Sequence, residues 1–180
     1  MKIEKEIKSK IERDYFFVEG SLENIDSDYF INKIEEGILL ENNLSYKTNV
    51  MGKVTPWFYF SKDKNFIYLV NQLIDYVEIK KITTAAYTLL EAWGIKETFA
   101  DFTQQHCHTP NYLSGVIYLN DHPQKLYFPK IDQEVTPKKG KFVVCSSFLD
   151  HYTKRNMSDT DRYCIAFNFQ YKLTYGGIGL

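Results

Sequence analysis

With 180 residues the chain has the length of one ordinary domain, and its 44% hydrophobic and 25% charged residues are typical of a globular protein. Its formal net charge of −1 provides no global positive field, so nonspecific nucleic-acid binding is disfavoured. Aromatic residues make up 16%, which favours a β-rich interior because Phe and Tyr fit a pleated surface well.

The cysteines and the hydropathy pattern indicate where the protein works. Cys107, Cys145 and Cys164 are too few and too scattered for a disulfide framework, so we expect reduced core thiols and a cytoplasmic location. No stretch approaches the roughly 20 consecutive apolar residues that cross a bilayer. The charged first residues also lack the apolar run of a secretion signal. We therefore expect no membrane partner.

Residues 1–80 are predicted to form an N-terminal arm, one strand and bracing helices. Isoleucines spaced four apart in residues 1–12 fit either a helix or a loose charged arm. Residues 13–22 have the composition of a first strand. Residues 44–60 are irregular and end in an aromatic run that begins at Trp57. We expect this run to pack under a loop rather than line a pocket rim.

Two helices are predicted in this N-terminal part. The first begins at Asp26 or Ser27, which are good N-caps, and runs through Glu36, with Gly37 placed to stop it because glycine is common just past a helix end. The second begins at Ser61 or Asp63 and has apolar residues repeating at three and four positions. We expect that helix to pack across the outside of a sheet.

Residues 82–171 are predicted to form the β-rich core. The predicted strands are 84–93, 95–101, 104–108, 113–120, 125–128, 141–146, 151–153 and 162–171, with Gly94 as one of the breaks. Many short strands after a helical N-terminal third predict a mainly β fold, a β-sandwich or jelly roll braced by helices. Residues 172–180 are predicted to be a flexible tail of the same single domain.

Three histidines form a candidate metal site. His106 and His108 are separated by one residue, so on a strand both side chains would leave the same face. His151, in another predicted strand, can supply a third imidazole. Fe(II), Mn(II) and Zn(II) accept neutral imidazole, and oxygen chemistry needs three protein ligands with other positions open. His122 lies in a turn and is interpreted as a solvated loop residue.

Arg162 is a candidate anion-binding residue at the start of the last predicted strand. Small or polar side chains such as Cys164 and Asn168 share its face, which suits the wall of a cavity. A guanidinium there can bind a carboxylate through two hydrogen bonds. The alternative is a surface salt bridge from Arg162 to Asp159 or Asp161.

The order of these motifs resembles one enzyme superfamily. The motifs are H-x-H at 106–108, L-S-G-V-I-Y-L at 113–119, P-x-x-G at 137–140, His151, and R-x-C-x-x-F-N at 162–168. Together they resemble the Fe(II)/2-oxoglutarate-dependent oxygenases, in particular small hydroxylases of phages and bacteria. The resemblance covers a little under half of the chain. It implies a double-stranded β-helix, which is a jelly roll, and an enzyme that couples decarboxylation of 2-oxoglutarate to C–H oxidation.

The resemblance also implies roles for individual residues. His106 and His151 would bind Fe(II), and His108 would occupy the position where most of the superfamily has Asp or Glu. Arg162 would bind the far carboxylate of the cosubstrate 2-oxoglutarate, and Tyr118 would donate its hydroxyl to the same carboxylate. Dioxygen and a small-molecule or peptidyl substrate would be the reaction partners.

The remaining candidates and alternatives are less constrained by sequence. Asn168, Asn111 and Tyr112 are candidates for contacts with the substrate or with the metal ligands. A cupin-like metal protein also uses H-x-H, but its usual glutamate is absent after the pair and His151 lies far beyond Gly140. A non-catalytic β-sandwich that acts as a binding or structural module is the second alternative.

Overall fold

Two antiparallel sheets and two helices make up the described part of the chain. The computed structural model describes residues 14–40, 49–79 and 87–171, so the predicted arm at 1–12 and tail at 172–180 lie outside it. The strands are β1 Phe17–Ser21, β2 Lys53–Val54, β3 Tyr87–Glu97, β4 Leu113–Tyr118, β5 Leu126–Phe128, β6 Gln133–Val135, β7 Lys141–Ser146, β8 Tyr152–Thr153 and β9 Arg162–Tyr171, and the helices are α1 Ser27–Leu40 and α2 Lys64–Ile79. The predicted mainly β class is confirmed. Neither described helix is long and apolar enough to cross a bilayer.

The larger sheet has the strand order β1-β7-β4-β9-β3-β2, and the smaller has the order β6-β5-β8. In the larger sheet, β3 and β9 form the longest ladder, in which Glu97 is paired with Arg162 and Glu91 with Asn168. Directly paired residues of an antiparallel ladder point to the same face. This ladder therefore aligns two glutamates of β3 with polar residues of β9.

Each face of the larger sheet has its own core. The outer core joins the sheet to the helices and includes Phe30, Ile34 and Phe66, all nearly fully buried. The inner core contains residues of both sheets, such as Trp93 from β3 and Phe128 from β5. The space between the two sheets is therefore where a cavity can form.

The predicted end of α1 at Gly37 is wrong, because the helix continues to Leu40. Gly37 is buried, and a Cβ atom there would lie 2.7 Å from Cγ2 of Thr55. The glycine therefore allows close packing and does not terminate the helix. The predicted start of α2 is confirmed, since Asp63 Oδ1 accepts a hydrogen bond of 2.9 Å from the backbone N–H of Phe66.

The predicted break at Gly94 is also wrong, because β3 passes through it without interruption. A Cβ atom at Gly94 would overlap the side chain of Ile34 in α1. Two further expectations differ from the structure. Residues 104–108 form no regular strand, since only His106 among them makes an isolated bridge, and the short strands β2 and β6 were not predicted.

We predict that Gly94→Ala destabilises the fold by about 1–3 kcal/mol, because the added methyl group overpacks the contact between β3 and α1. If the alanine acted only by reducing the conformational entropy of the unfolded chain, it would stabilise the protein by roughly 0.4–1 kcal/mol. The sign of the change in unfolding free energy therefore tests the packing interpretation. Urea unfolding measures it. The double variant Gly94→Ala/Ile34→Ala should lose less stability than the sum of the single variants. An increase in stability for Gly94→Ala alone would contradict this account.

Candidate metal centre

The backbone brings the three candidate histidines together. His106 and His151 form an isolated antiparallel bridge, with N–H to carbonyl distances of 3.1 and 2.9 Å in the two directions. The N–H of His108 donates to the carbonyl of Ser147 at 2.7 Å, which fixes the third residue beside them. The imidazole ring centroids lie 4.5–5.1 Å apart. The predicted convergence of the three side chains is therefore present in the structure.

The hydrogen bonds of the rings orient their nitrogen atoms. Nδ1 of His106 contacts the carbonyl of Gln104 at 2.7 Å, and Nδ1 of His151 contacts the carbonyl of Leu149 at 3.1 Å. A carbonyl can only accept, so in both rings Nδ1 carries the proton and Nε2 keeps a lone pair. Nε2 of His108 lies 3.3 Å from Nε2 of His151. Adjacent ligands on a metal with bonds of about 2.1 Å are separated by roughly 3 Å, so this spacing fits one cation.

Burial keeps these imidazoles neutral. It lowers the pKa of His151 to about 4, with a further contribution from His106. The pKa of His108 lies well below its ordinary value because of burial and of its two histidine neighbours, and burial also lowers the pKa of His106. One ligand atom from each ring lies within 4.8 Å of the others. Three neutral, convergent imidazoles fit a divalent transition metal.

The histidines open into a cavity of about 60 Å³ between the sheets, and Tyr118 and Arg162 line the same cavity. Trp93 of β3 packs on His108 with ring centroids 5.9 Å apart. Glu97, four residues further along β3, contacts Arg162. Four residues of strand span about 13 Å, so the histidines and Arg162 lie toward different ends of this cavity.

Arg162 is buried in an ion pair with Glu97, so the alternative of a surface salt bridge to Asp159 or Asp161 is wrong. Nη2 of Arg162 lies 2.6 Å from Oε2 of Glu97, and both side chains are almost inaccessible to solvent. Thr103 donates to the other oxygen, Oε1, at 2.7 Å. Burial alone would lower the pKa of Arg162, but the attraction of Glu97 raises it, so the guanidinium stays charged.

Two buried donors beside this ion pair have no partner among the described residues. They are Nε of Arg162 and the hydroxyl of Tyr118, whose ring centroid lies 5.7 Å from Cζ of Arg162. Burial raises the pKa of Tyr118, so its hydroxyl remains a donor. An unsatisfied buried donor costs about 1–3 kcal/mol, and a carboxylate placed between these two atoms would satisfy both. The residues present therefore fit the far carboxylate of a small diacid.

The two candidate asparagines meet at one carboxylate. Asn168 accepts a hydrogen bond from Ser114 and donates to Oε1 of Glu91, each at 2.6 Å. Asn111 donates to the same oxygen at 3.4 Å. Tyr112 instead packs in a cluster with Tyr87 and Tyr171, with its ring centroid 5.4 and 4.0 Å from theirs. The structure thus places Tyr112 in the outer core, away from the histidines.

His122 and the cysteines correct further expectations. His122 is 4% exposed rather than solvated, because its ring contacts the carbonyl of Thr160 at 3.0 Å and accepts from the N–H of Gln124 at 3.1 Å. Cys145 and Cys164 are buried as expected, and burial raises their pKa values to about 12 and about 11. Cys107 is only half-buried and lines a second cavity rather than the core.

The expected packing of the aromatic run 57–60 holds in part. Phe60 is fully buried in the outer core, whereas Phe58 is exposed. Trp57 lines the second cavity and packs on Trp93 with centroids 4.5 Å apart.

Comparisons with known proteins relate the fold to solved structures. No family model matches the sequence, and no curated protein matches it either. A viral collagen prolyl hydroxylase from Paramecium Bursaria Chlorella virus-1, solved as its 2OG complex, aligns with a TM-score of 0.64 and 14% identity over 86% of this chain and 94% of that chain. A prolyl-4-hydroxylase from Pseudomonas putida aligns with a TM-score of 0.65 and 14% identity, over 87% of this chain and 92% of that chain. HygX from Streptomyces hygroscopicus, with nickel and 2-oxoglutarate bound, aligns with a TM-score of 0.62 and 13% identity, over 88% of this chain and 83% of that chain. At these identities the likeness establishes a shared fold.

We predict that Glu97→Gln lowers the free energy of unfolding by about 3 kcal/mol, because it leaves the buried charge of Arg162 uncompensated. The double variant Glu97→Gln/Arg162→Met should recover part of that loss, since it removes both charges. Urea unfolding of the four members of this cycle measures the coupling. If Glu97→Gln alone were as stable as the parent, the ion pair would not constrain the fold as described.

Proposed function

We propose that this protein is an Fe(II)- and 2-oxoglutarate-dependent oxygenase that hydroxylates a carbon atom of its substrate. The observation that carries the proposal is that one cavity holds three convergent neutral imidazoles and two unpartnered buried donors. A metal site and a carboxylate site in one cavity match the two halves of the cosubstrate, since 2-oxoglutarate has a chelating end and a far carboxylate. The fold shared with structures solved with bound 2-oxoglutarate, one of them also with nickel, supports the same assignment.

The fold and context of the enzyme follow from the same proposal. The two facing antiparallel sheets would be the halves of a double-stranded β-helix, braced by α1 and α2 in a single domain spanning residues 1–180. The ordered motifs support a place among the small phage and bacterial hydroxylases. The cytoplasmic location expected from the free thiols stays a prediction.

Each residue of the cavity would have a distinct task. His106, His108 and His151 would hold the metal, and the backbone carbonyls of Gln104 and Leu149 would fix two of the rings by accepting hydrogen bonds from their Nδ1–H groups. Tyr118 and Arg162 would orient the far carboxylate. Iron with bound 2-oxoglutarate supplies the activation of dioxygen and the oxidation of a C–H bond.

The apolar lining would protect this chemistry from water. Trp93, Ile95 and Phe128 surround the cavity and are nearly inaccessible to solvent. A water-poor site strengthens the electrostatic contacts within it and limits side reactions of the activated cosubstrate.

We predict that His151→Ala abolishes binding of Fe(II) and release of succinate, because two imidazoles cannot hold the metal in a facial arrangement. Anaerobic calorimetry with Fe(II) and a succinate assay measure the two effects. His122→Gln is the matched control, since His122 lies outside the cluster, and it should retain both activities. Undiminished succinate release in the His151 variant would refute the assignment of that ligand.

We predict that Tyr118→Phe weakens 2-oxoglutarate binding about tenfold, the equivalent of one hydrogen bond of roughly 1.4 kcal/mol. The variant should not lose stability in the absence of ligand, because the hydroxyl has no partner among the described residues. Calorimetric titration of the Mn(II)-loaded protein measures the affinity. Unchanged affinity would show that the far carboxylate does not reach Tyr118.

We predict that His108→Asp retains or strengthens iron binding, because an aspartate there adds a negative charge beside the cation. The fold stability and iron affinity of the variant are compared with those of the parent under anaerobic conditions. A variant that folds but loses iron, while the parent holds it, would show that position 108 does not act in place of the usual carboxylate ligand.

The same measurements separate the two alternatives. A cupin-like metal protein would bind metal at the three histidines without releasing succinate from 2-oxoglutarate. A non-catalytic binding or structural module would hold neither iron nor manganese after anaerobic reconstitution.

A further inference from the structure

A second, outer cavity adjoins the histidines. It has a volume of about 200 Å³, and its lining includes His106, His108, Glu91 and the indoles of Trp57 and Trp93. Its size suits a molecule of about the volume of an amino acid. Because His106 and His108 line it, a molecule held there would lie beside the proposed metal site.

Glu91 gives this cavity its charge. It is the one acidic side chain among the lining residues, and no Lys or Arg accompanies it there. Glu91 is half-buried, and keeping a carboxylate partly away from water costs free energy unless a partner compensates it. The described residues supply hydrogen bonds but no cation, so the cavity favours a positively charged occupant.

The orientation of Glu91 is fixed in a way that leaves one oxygen available. The amides of Asn168 and Asn111 both donate to Oε1, at 2.6 and 3.4 Å. Asn168 is itself held by Ser114, at 2.6 Å, and faces Glu91 directly across the β3–β9 ladder. No hydrogen bond from the described residues reaches Oε2, which is therefore the atom that can bind a ligand.

The aromatic walls favour the same kind of ligand. Trp57 and Trp93 lie edge to face, with centroids 4.5 Å apart and planes inclined at 64°. Indole faces attract organic cations through their quadrupole, and a carboxylate beside them adds a direct ion pair. Two indoles and one oriented carboxylate are the groups that recognise an ammonium or guanidinium group.

We propose that the outer cavity binds a small-molecule substrate through a cationic group, an ammonium or guanidinium, held between Oε2 of Glu91 and the two indoles. The inference rests on the proposed function, because the histidines must hold the metal for a neighbouring C–H bond to be oxidised. The volume of the cavity favours a free amino-acid-sized molecule over a folded partner, and Glu91 is a binding residue that positions it.

The test compares cations with neutral molecules of the same shape. n-Pentylamine and n-pentanol form one pair, and n-butylguanidine and n-butylurea form the other, so that only one member of each pair carries a cationic group. Each is titrated into the Mn(II)- and 2-oxoglutarate-loaded protein under anaerobic conditions, and binding is measured by calorimetry. We expect at least one cation to bind tenfold or more tightly than its neutral counterpart. Equal affinity within both pairs would overturn the proposal.

Variants separate a binding role from a structural one. Glu91→Gln keeps an oxygen that accepts from Asn168 and Asn111, so we expect it to fold while losing the preference for cations. Trp57→Leu should weaken cation binding severalfold, and it tests the same site if Glu91→Gln does not fold. Glu134→Gln, at an exposed salt bridge with Lys125, is the matched control and should keep the preference. An unchanged preference in folded Glu91→Gln would also overturn the proposal.

Failure of this inference can be told apart from failure of the proposed function. Binding of Mn(II) and 2-oxoglutarate is measured in the same samples before each titration. If both bind and no cation is preferred, only the substrate class is wrong. If neither binds but the cation preference persists and depends on Glu91, the cation site stands and the oxygenase assignment fails.

Discussion

The direct pairing of β3 with β9 is the constraint on which the site depends. It places Glu97 opposite Arg162 at one end of the ladder and Glu91 opposite Asn168 nearer the other. Trp93, between the two glutamates, packs on His108 and lines both the inner and the outer cavity. A slip of β3 by one residue along β9 would turn Glu91, Trp93 and Glu97 to the opposite face.

Charge balance connects this ladder to the metal centre. The three imidazoles are neutral, and Glu97 cancels the charge of Arg162, so the inner cavity has no net charge before ligands enter. A divalent cation together with dianionic 2-oxoglutarate would keep that sum at zero. In the proposed oxygenase, Glu97 would supply, at a distance from the metal, the negative charge that His108 does not provide.

Local signals in the sequence predicted the elements whose form is determined by neighbouring residues. The N-cap Asp63 and the strand Arg162–Tyr171 follow from short-range patterns, and both are present as predicted. The convergence of His106, His108 and His151 was predicted from spacing and motif order, although the segment 104–108 is bridged rather than a regular strand. Backbone pairing with residue 151, not strand regularity, brings these rings together.

The features that sequence reasoning missed depend on contacts between distant residues. Gly94 was interpreted as a break because glycine weakens strands, but the close approach of Ile34 in α1 requires it. That false break divided β3 and concealed the shared face of Glu91 and Glu97. His122 was assigned to solvent because it lies in a turn, yet it is buried and its ring contacts the backbone carbonyl of the distant residue Thr160. Had residues 91–97 been taken as one unbroken strand, the period of two would have placed residues 91, 93, 95 and 97 on one face.

The most direct test of the account is an anaerobic crystal structure with Mn(II) and 2-oxoglutarate. We predict an anomalous peak within bonding distance of Nε2 of His106, His108 and His151, and the far carboxylate within hydrogen-bonding distance of the Tyr118 hydroxyl and Nε of Arg162. A metal bound elsewhere, or a diacid whose far carboxylate avoids Tyr118 and Arg162, would contradict the central claim that one cavity unites the two sites.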